Sequence, residues 1–202
     1  MQLTRRALFV DAALESAGAD AVATPLKLAA TLFATVATAA AAQISVPLPS
    51  TPVPFTFQPM VVLLAGAVLG PQLGLASQIL YLGAGMAGLP VFAASPELPQ
   101  GIARLLGPTG GYLMSYPLAA FVTGVLARRG LDRRYFTSVL AMAAGLALVF
   151  TGGVTWLALG SARSLQAALV AGFYPFVVAD CLKLLAAAAI MPAAWRLIGP
   201  LH

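Results

Sequence analysis

The amino-acid sequence predicts an all-α integral membrane protein, a bundle of six transmembrane helices with both termini cytoplasmic. Three observations lead there. The 202 residues include only 11 Lys or Arg and 6 Asp or Glu, so 8% are charged, against about 25% in a soluble domain. Hydrophobic residues reach 60%, which also excludes a disordered chain, whose hydrophobicity is low and net charge high. The apolar residues form continuous Ala/Leu/Val runs rather than the alternating strands of a membrane barrel. Finally, the basic residues gather on one side of the expected spans. A spanning helix takes about 20 residues, so six of them leave short loops and no space for a separate catalytic domain.

Residues 1–25 read as a short cytoplasmic amphipathic segment, because Asp11 and Glu15 interrupt the apolar stretch that a signal peptide would need. The membrane domain covers 26–197. Its first span runs from about Leu26 to Ile44. Four prolines within eight residues (Pro47, Pro49, Pro52, Pro54) forbid a helix in the stretch Ser45–Pro59. A short second span, Met60–Leu69, is cut by Gly70-Pro71 and is tilted, buried or partly re-entrant. The third follows from Gln72 to about Leu89. A loop, Pro90–Pro108, contains Glu97 and Arg104. The fourth span is Thr109–Ala127, stopped by the charged run Arg128–Arg134. The fifth covers Tyr135–Gly160, and the sixth about Leu165 to Leu197, with a break near Tyr174-Pro175.

With the N-terminus inside, the cytoplasmic segments hold Arg5, Arg6, Lys27, Arg128, Arg129, Arg133, Arg134 and Arg196. The outer loops hold only Arg104 and Arg163. Eight against two satisfies the positive-inside rule. Small residues recur at four-residue spacing in Gly66/Gly70/Gly74 and in the pairs Ala30/Ala34 and Ala37/Ala41. Such rows let helix backbones approach in lipid. They serve either internal packing or, on the first span, docking of another membrane subunit.

Two ionisable residues lie within a span: Asp180 and Lys183. A charge at mid-span costs about 2.5–3.5 kcal/mol on insertion scales, so it ordinarily has a partner or a function. Spacing i, i+3 puts both on one helical face, either as a self-neutralising pair or as a recognition pair for a small polar ligand. Arg104 precedes a Gly-rich turn and suits an anionic ligand group, or simply a solvated loop. The run Gly107–Tyr112 lacks the Lys and Ser/Thr of a phosphate-binding loop. Phe55, Phe57, Tyr81, Phe92, Tyr112, Trp156, Phe173, Tyr174 and Phe176 form an interfacial belt or line an apolar pocket. The single histidine, His202, and the single cysteine, Cys181, which reads as a small buried residue, leave no catalytic triad, metal set or disulfide. Arg128–Arg134 reads as a membrane anchor rather than a nucleic-acid patch.

The segments TPVPFTFQP (Thr51–Pro59), LAGAVLGPQLG (Leu64–Gly74), YLGAGMAGLPVFA (Tyr81–Ala93), GPTGGYL (Gly107–Leu113) and DCLK (Asp180–Lys183) together resemble the BioY family. These are the biotin-specific substrate-binding (S) components of energy-coupling factor (ECF) transporters. The resemblance spans about residues 50–190. It implies a non-enzymatic six-helix S component of the bacterial inner membrane, with biotin as transported ligand and no cofactor. It further implies a site near the outer face and a partner, a transmembrane coupling subunit with two ATPases, although some members lack a dedicated one. Asp180 and Lys183 then contact the ligand, with Arg104, Tyr81, Phe55 and Tyr112 around them. Ala30, Ala34, Ala37 and Ala41 fit the docking role. A third-helix Asn ligand has no counterpart here, and Gln58 and Gln78 are the candidate substitutes. Rival readings are an S component for another vitamin and a proton-coupled carrier using Asp180.

Overall fold

The computed structural model describes residues 8–16, 18, 22–95, 99–160 and 164–198. Arg5, Arg6, Glu97, Arg163 and His202 lie outside the described residues. The described chain is mostly helical: α1 (Phe9–Ser16), α2 (Ala23–Gln43), α3 (Gln58–Met86), α4 (Ile102–Leu106), α5 (Gly110–Arg128), α6 (Tyr135–Gly160), α7 (Leu165–Gly172) and α8 (Tyr174–Ile198). Five of these, α2, α3, α5, α6 and α8, are long and apolar enough to cross a membrane. Between α2 and α3 the proline-rich stretch forms a two-stranded antiparallel ribbon, β1 (Ser45–Val46) against β2 (Phe55–Thr56).

Helix α3 is two arms joined by a sharp bend. Gly70 has φ 77° and ψ −178°, a conformation only glycine adopts without strain. Pro71 follows it, with no N–H to continue the ladder. Residues eight apart in a straight helix are separated by about 12 Å, yet a Cβ on Gly74 would stand 2.9 Å from the Gly66 Cα. The second arm therefore runs back beside the first. It brings Tyr81 against Gln58, with 2.6 Å between Tyr81 Oη and Gln58 Nε2.

Close backbone approach holds this hairpin to α5. A Cβ on Gly66 would run into the Ala120 backbone, and one on Gly124 into Gly70-Pro71. The Leu8 side chain fills the space beside Gly70, which seats the N-terminal segment over the bend. The segment is further fixed by the Phe9–Trp195 edge contact and by the 2.6 Å ion pair of Lys27 with Asp11. Nearby, Trp195 Nε1 donates to Asp132 at 2.6 Å, and Arg128 pairs with Gln72. Burial raises the Asp132 carboxyl above its usual pKa, while the Trp195 hydrogen bond pulls the other way. This end of the bundle thus collects Lys27 and the Arg128–Arg134 run. The ribbon, α4 and α7 gather at the opposite end, where Thr51 Oγ1 donates to the Ala171 carbonyl and Gln43 Nε2 to the carbonyls of Pro90 and Phe92.

Several sequence expectations need correction. The break expected near Tyr174-Pro175 is present, since Phe173, at φ −122° and ψ −60°, separates the short α7 from α8, but other readings change. The loop after Pro90 contains a helix, α4. Cys181 is exposed on the outer face of α8 instead of buried. Ala34 and Ala41 are buried and Ala30 and Ala37 half-buried. Ala34 packs with Ala65 and Leu69 of α3, and beside it the Thr35 hydroxyl donates to the Ser77 carbonyl. Ala34 and Ala41 are thus used in internal packing, while Ala30 and Ala37 border the open face of α2, which carries Leu32, Phe33 and Val36.

Gly66→Ala is expected to lower the thermal unfolding midpoint in detergent by about 3–10 °C, the effect of overpacking a tight contact. The matched change Gly83→Ala, where nothing lies within 4 Å of the new methyl, leaves the midpoint unchanged. Equal behaviour of the two variants in a thermal-shift assay contradicts the α3–α5 packing.

Candidate ligand-binding site

At the ribbon end the helices enclose a cleft with about 590 Å³ of empty space, its open mouth included. Most of its wall is apolar: Val53, Phe92, Leu113, Val149, Phe150 and Phe176. Polar groups enter from three directions. Asp180 and Lys183 come from α8, Gln58 from the start of α3, and Arg104 and Thr109 from α4 and the turn into α5. A mostly apolar cavity with few convergent polar groups is the usual form of a small-molecule site.

The two charges of α8 are buried, Asp180 at 7% and Lys183 at 8% exposure, and they form an ion pair with each other. Lys183 makes three more contacts. Its Nζ donates to the Thr56 carbonyl at 2.6 Å and sits 3.9 Å from the centre of the Phe55 ring and 5.6 Å from that of Phe57, both within cation–π range. Phe55 and Thr56 belong to β2, so this ammonium binds the ribbon to α8.

Arg104 is the largest fully buried side chain, at 1% exposure. One terminal nitrogen donates to the Ala93 carbonyl, while Nε and Nη1 have no hydrogen-bond partner among the described residues. Burial pulls the guanidinium below its usual pKa, and Tyr81 acts in the opposite direction. Gln58 is oriented from behind by the Tyr81 hydroxyl and by Thr56 Oγ1, which lies 3.4 Å from its Oε1. Tyr81 is itself fixed by a 3.3 Å bond to the Val91 carbonyl and an edge contact with Phe92. Tyr112 lines the cleft, and its hydroxyl donates to the Gly172 carbonyl at 2.7 Å, joining α5 to the end of α7.

The structure therefore brings Asp180, Lys183, Arg104, Gln58 and Tyr112 to one cavity. Tyr81 and Phe55 stand directly behind it, holding Gln58 and Lys183. Gln78 is not part of it: it points toward α2, donating to Thr38 Oγ1 at 3.2 Å and Ser77 Oγ at 3.1 Å. Tyr116 and Thr109, which also line the cleft, escaped the sequence reading. Tyr116 lies one turn beyond Tyr112, a spacing that puts both on one face. Among the described residues no group of three or more His, Cys, Asp or Glu comes together that could hold a metal.

Fold and site define a multi-pass membrane protein with a mostly apolar cleft into which a few buried polar groups converge. The sequence matches the BioY family over residues 16–200, and the chain belongs to that family. It is 42% identical over 146 residues to the probable biotin transporter BioY of Pyrococcus horikoshii, covering 72% of this chain and 82% of that protein. It is 41% identical over 150 residues to the biotin transporter BioY of Thermotoga maritima, covering 74% and 83%. The fold is similar to the crystal structure of the S-component for biotin from an ECF-type ABC transporter. The TM-score is 0.78 at 26% identity, over 86% of this chain and 92% of the other. Members of this family are transporter components, not enzymes.

Removing one partner of a buried ion pair strands the other charge, at a cost of about 3–5 kcal/mol. Asp180→Leu in the ligand-free protein should therefore lower the thermal midpoint sharply, and the double change Asp180→Leu with Lys183→Met should recover most of the loss. A double variant no more stable than the single one would show that the pair does not neutralise itself.

Proposed function

We propose that this chain captures biotin from outside the cell and delivers it across the bacterial inner membrane as the S component of an ATP-driven ECF importer. The observation that carries the reading is the set of polar groups in one mostly apolar cleft: the Asp180–Lys183 pair from α8 and Arg104 from α4. Biotin has matching parts, a ureido ring, an apolar thioether ring and an acidic tail. Asp180 accepts a ureido N–H and Lys183 donates to the ureido carbonyl. Gln58 offers a further amide beside them, in place of the Asn that the family's third helix would supply. Arg104 takes the tail carboxylate, since its unpartnered nitrogens are donors only. The names of the relatives support biotin as the ligand.

Counting the two arms of α3 separately gives six crossings in a domain of residues 26–197, with both termini cytoplasmic. The collection of Lys27, Arg128, Arg129, Arg133 and Arg134 at the end opposite the cleft supports this orientation, and the cleft then opens outward. The coupling partner in this reading is a transmembrane subunit carrying two ATPases. The ion pair with Lys183 disfavours a carrier that moves protons through Asp180, because the carboxylate already has a fixed counter-charge.

The purified chain, without partner subunits, should bind radiolabelled biotin in detergent. Asp180→Asn and Lys183→Ala should each weaken binding by more than about tenfold, the scale of one charge-assisted hydrogen bond. Unchanged binding in both variants would refute the site, and saturable binding of labelled thiamin or riboflavin with none of labelled biotin would refute the ligand.

A further inference from the structure

Thr109 stands immediately before α5, where a Thr side chain ordinarily turns back and accepts a hydrogen bond from the first helical turn. It makes no such bond here. Its Oγ1 is buried without a hydrogen-bond partner among the described residues, the residue is 7% exposed, and it lines the cleft. Buried hydroxyls are nearly always paired, so an unpaired one facing a cavity marks a place for a ligand atom. The second unpaired set on the same wall is Nε and Nη1 of Arg104, in a side chain at 1% exposure.

These groups share one chemistry. A guanidinium is a donor only, and a hydroxyl just before the 19-residue α5, at the positive end of that helix, can donate. A carboxylate, with one negative charge shared by two oxygens, satisfies both. The Ala93 carbonyl already engages one Arg104 nitrogen, which leaves room for a second donor on the ligand's other oxygen.

We propose that Thr109 is a specificity-determining residue, donating its hydroxyl proton to one oxygen of the ligand's tail carboxylate while Arg104 holds the other. The assignment rests on the biotin reading above and deepens it. A hydrogen bond to a charged acceptor is worth more than one to a neutral carbonyl, so losing the hydroxyl must penalise the free acid selectively.

The test measures biotin and biotin methyl ester binding to the purified full chain in detergent. Thr109→Val should weaken biotin about tenfold and the ester by less than about threefold. Thr109→Ser should bind both like the parent, and Thr109→Ala, which removes the same hydroxyl without branching, should repeat the valine result. Retained ester binding shows that the variants are folded. Unchanged biotin binding in the Val or Ala variant, or an equal loss for both ligands, overturns the role of Thr109 and leaves the biotin reading standing. A parent chain that binds neither compound overturns both.

Discussion

A cation inside an apolar bundle has to be solvated by the protein, and the way Lys183 is solvated organises the ligand end of this structure. Its ammonium is shared between the Asp180 carboxylate, the Thr56 carbonyl and the face of Phe55. Two of those three groups lie on the ribbon between α2 and α3. Neutralising the charge therefore also fixes the ribbon onto α8, and the ribbon closes one side of the cleft. The same strand places Thr56 beside Gln58, so the position of that amide follows from the position of the ammonium. Site and cover are one cooperative unit, since in a low-dielectric interior the penalty for an unpaired group is large.

The geometry at the far end of the bundle serves the same cleft. Gln58 can meet Tyr81 only because α3 turns back at Gly70, and the turn is possible only because neighbours come within backbone distance of it. Gly124 and Gly66 supply that closeness against α5, while Leu8 occupies the space over the bend. Lipid provides no hydrophobic drive between helices, so contact of this kind is where the packing energy comes from. A side chain at Gly66 would push α5 outward and carry Thr109, Tyr112 and Tyr116 with it.

What could be read from the sequence was what depends on composition along the chain. The break at Gly70-Pro71 follows from the two residues themselves, and α6 from an uninterrupted apolar run. Asp180 and Lys183 were visible because charge is scarce and costly in a span. The direction in which a side chain points was much harder to read. Helices apolar on all sides carry almost no periodic signal that separates the inward from the lipid face. Gln78 therefore looked equivalent to Gln58, yet it faces α2 and bonds Thr38. For the same reason the spacing of the α2 alanines does not show that Ala34 and Ala41 pack inward while Ala30 and Ala37 stay half-buried. Tyr116 and Thr109 are illegible in the sequence because α5 is apolar around most of its surface, so nothing marks which of its faces lines the cleft.

The cations of this protein fall into two physical classes. Lys27 and the arginines of the Arg128–Arg134 run lie at one end of the bundle, apart from the cleft, and their placement bears on orientation in the bilayer rather than on recognition. Arg104 and Lys183 sit at the other end, both nearly inaccessible to water. The protein satisfies them unequally. Lys183 has a carboxylate, a carbonyl and an aromatic face, whereas Arg104 has one carbonyl and two nitrogens without a partner. The cleft is thus lined by a neutralised pair and, separately, by a cation with donors to spare. That inequality sets the two groups different tasks: the pair presents hydrogen-bonding groups without net charge, whereas Arg104 presents a positive excess.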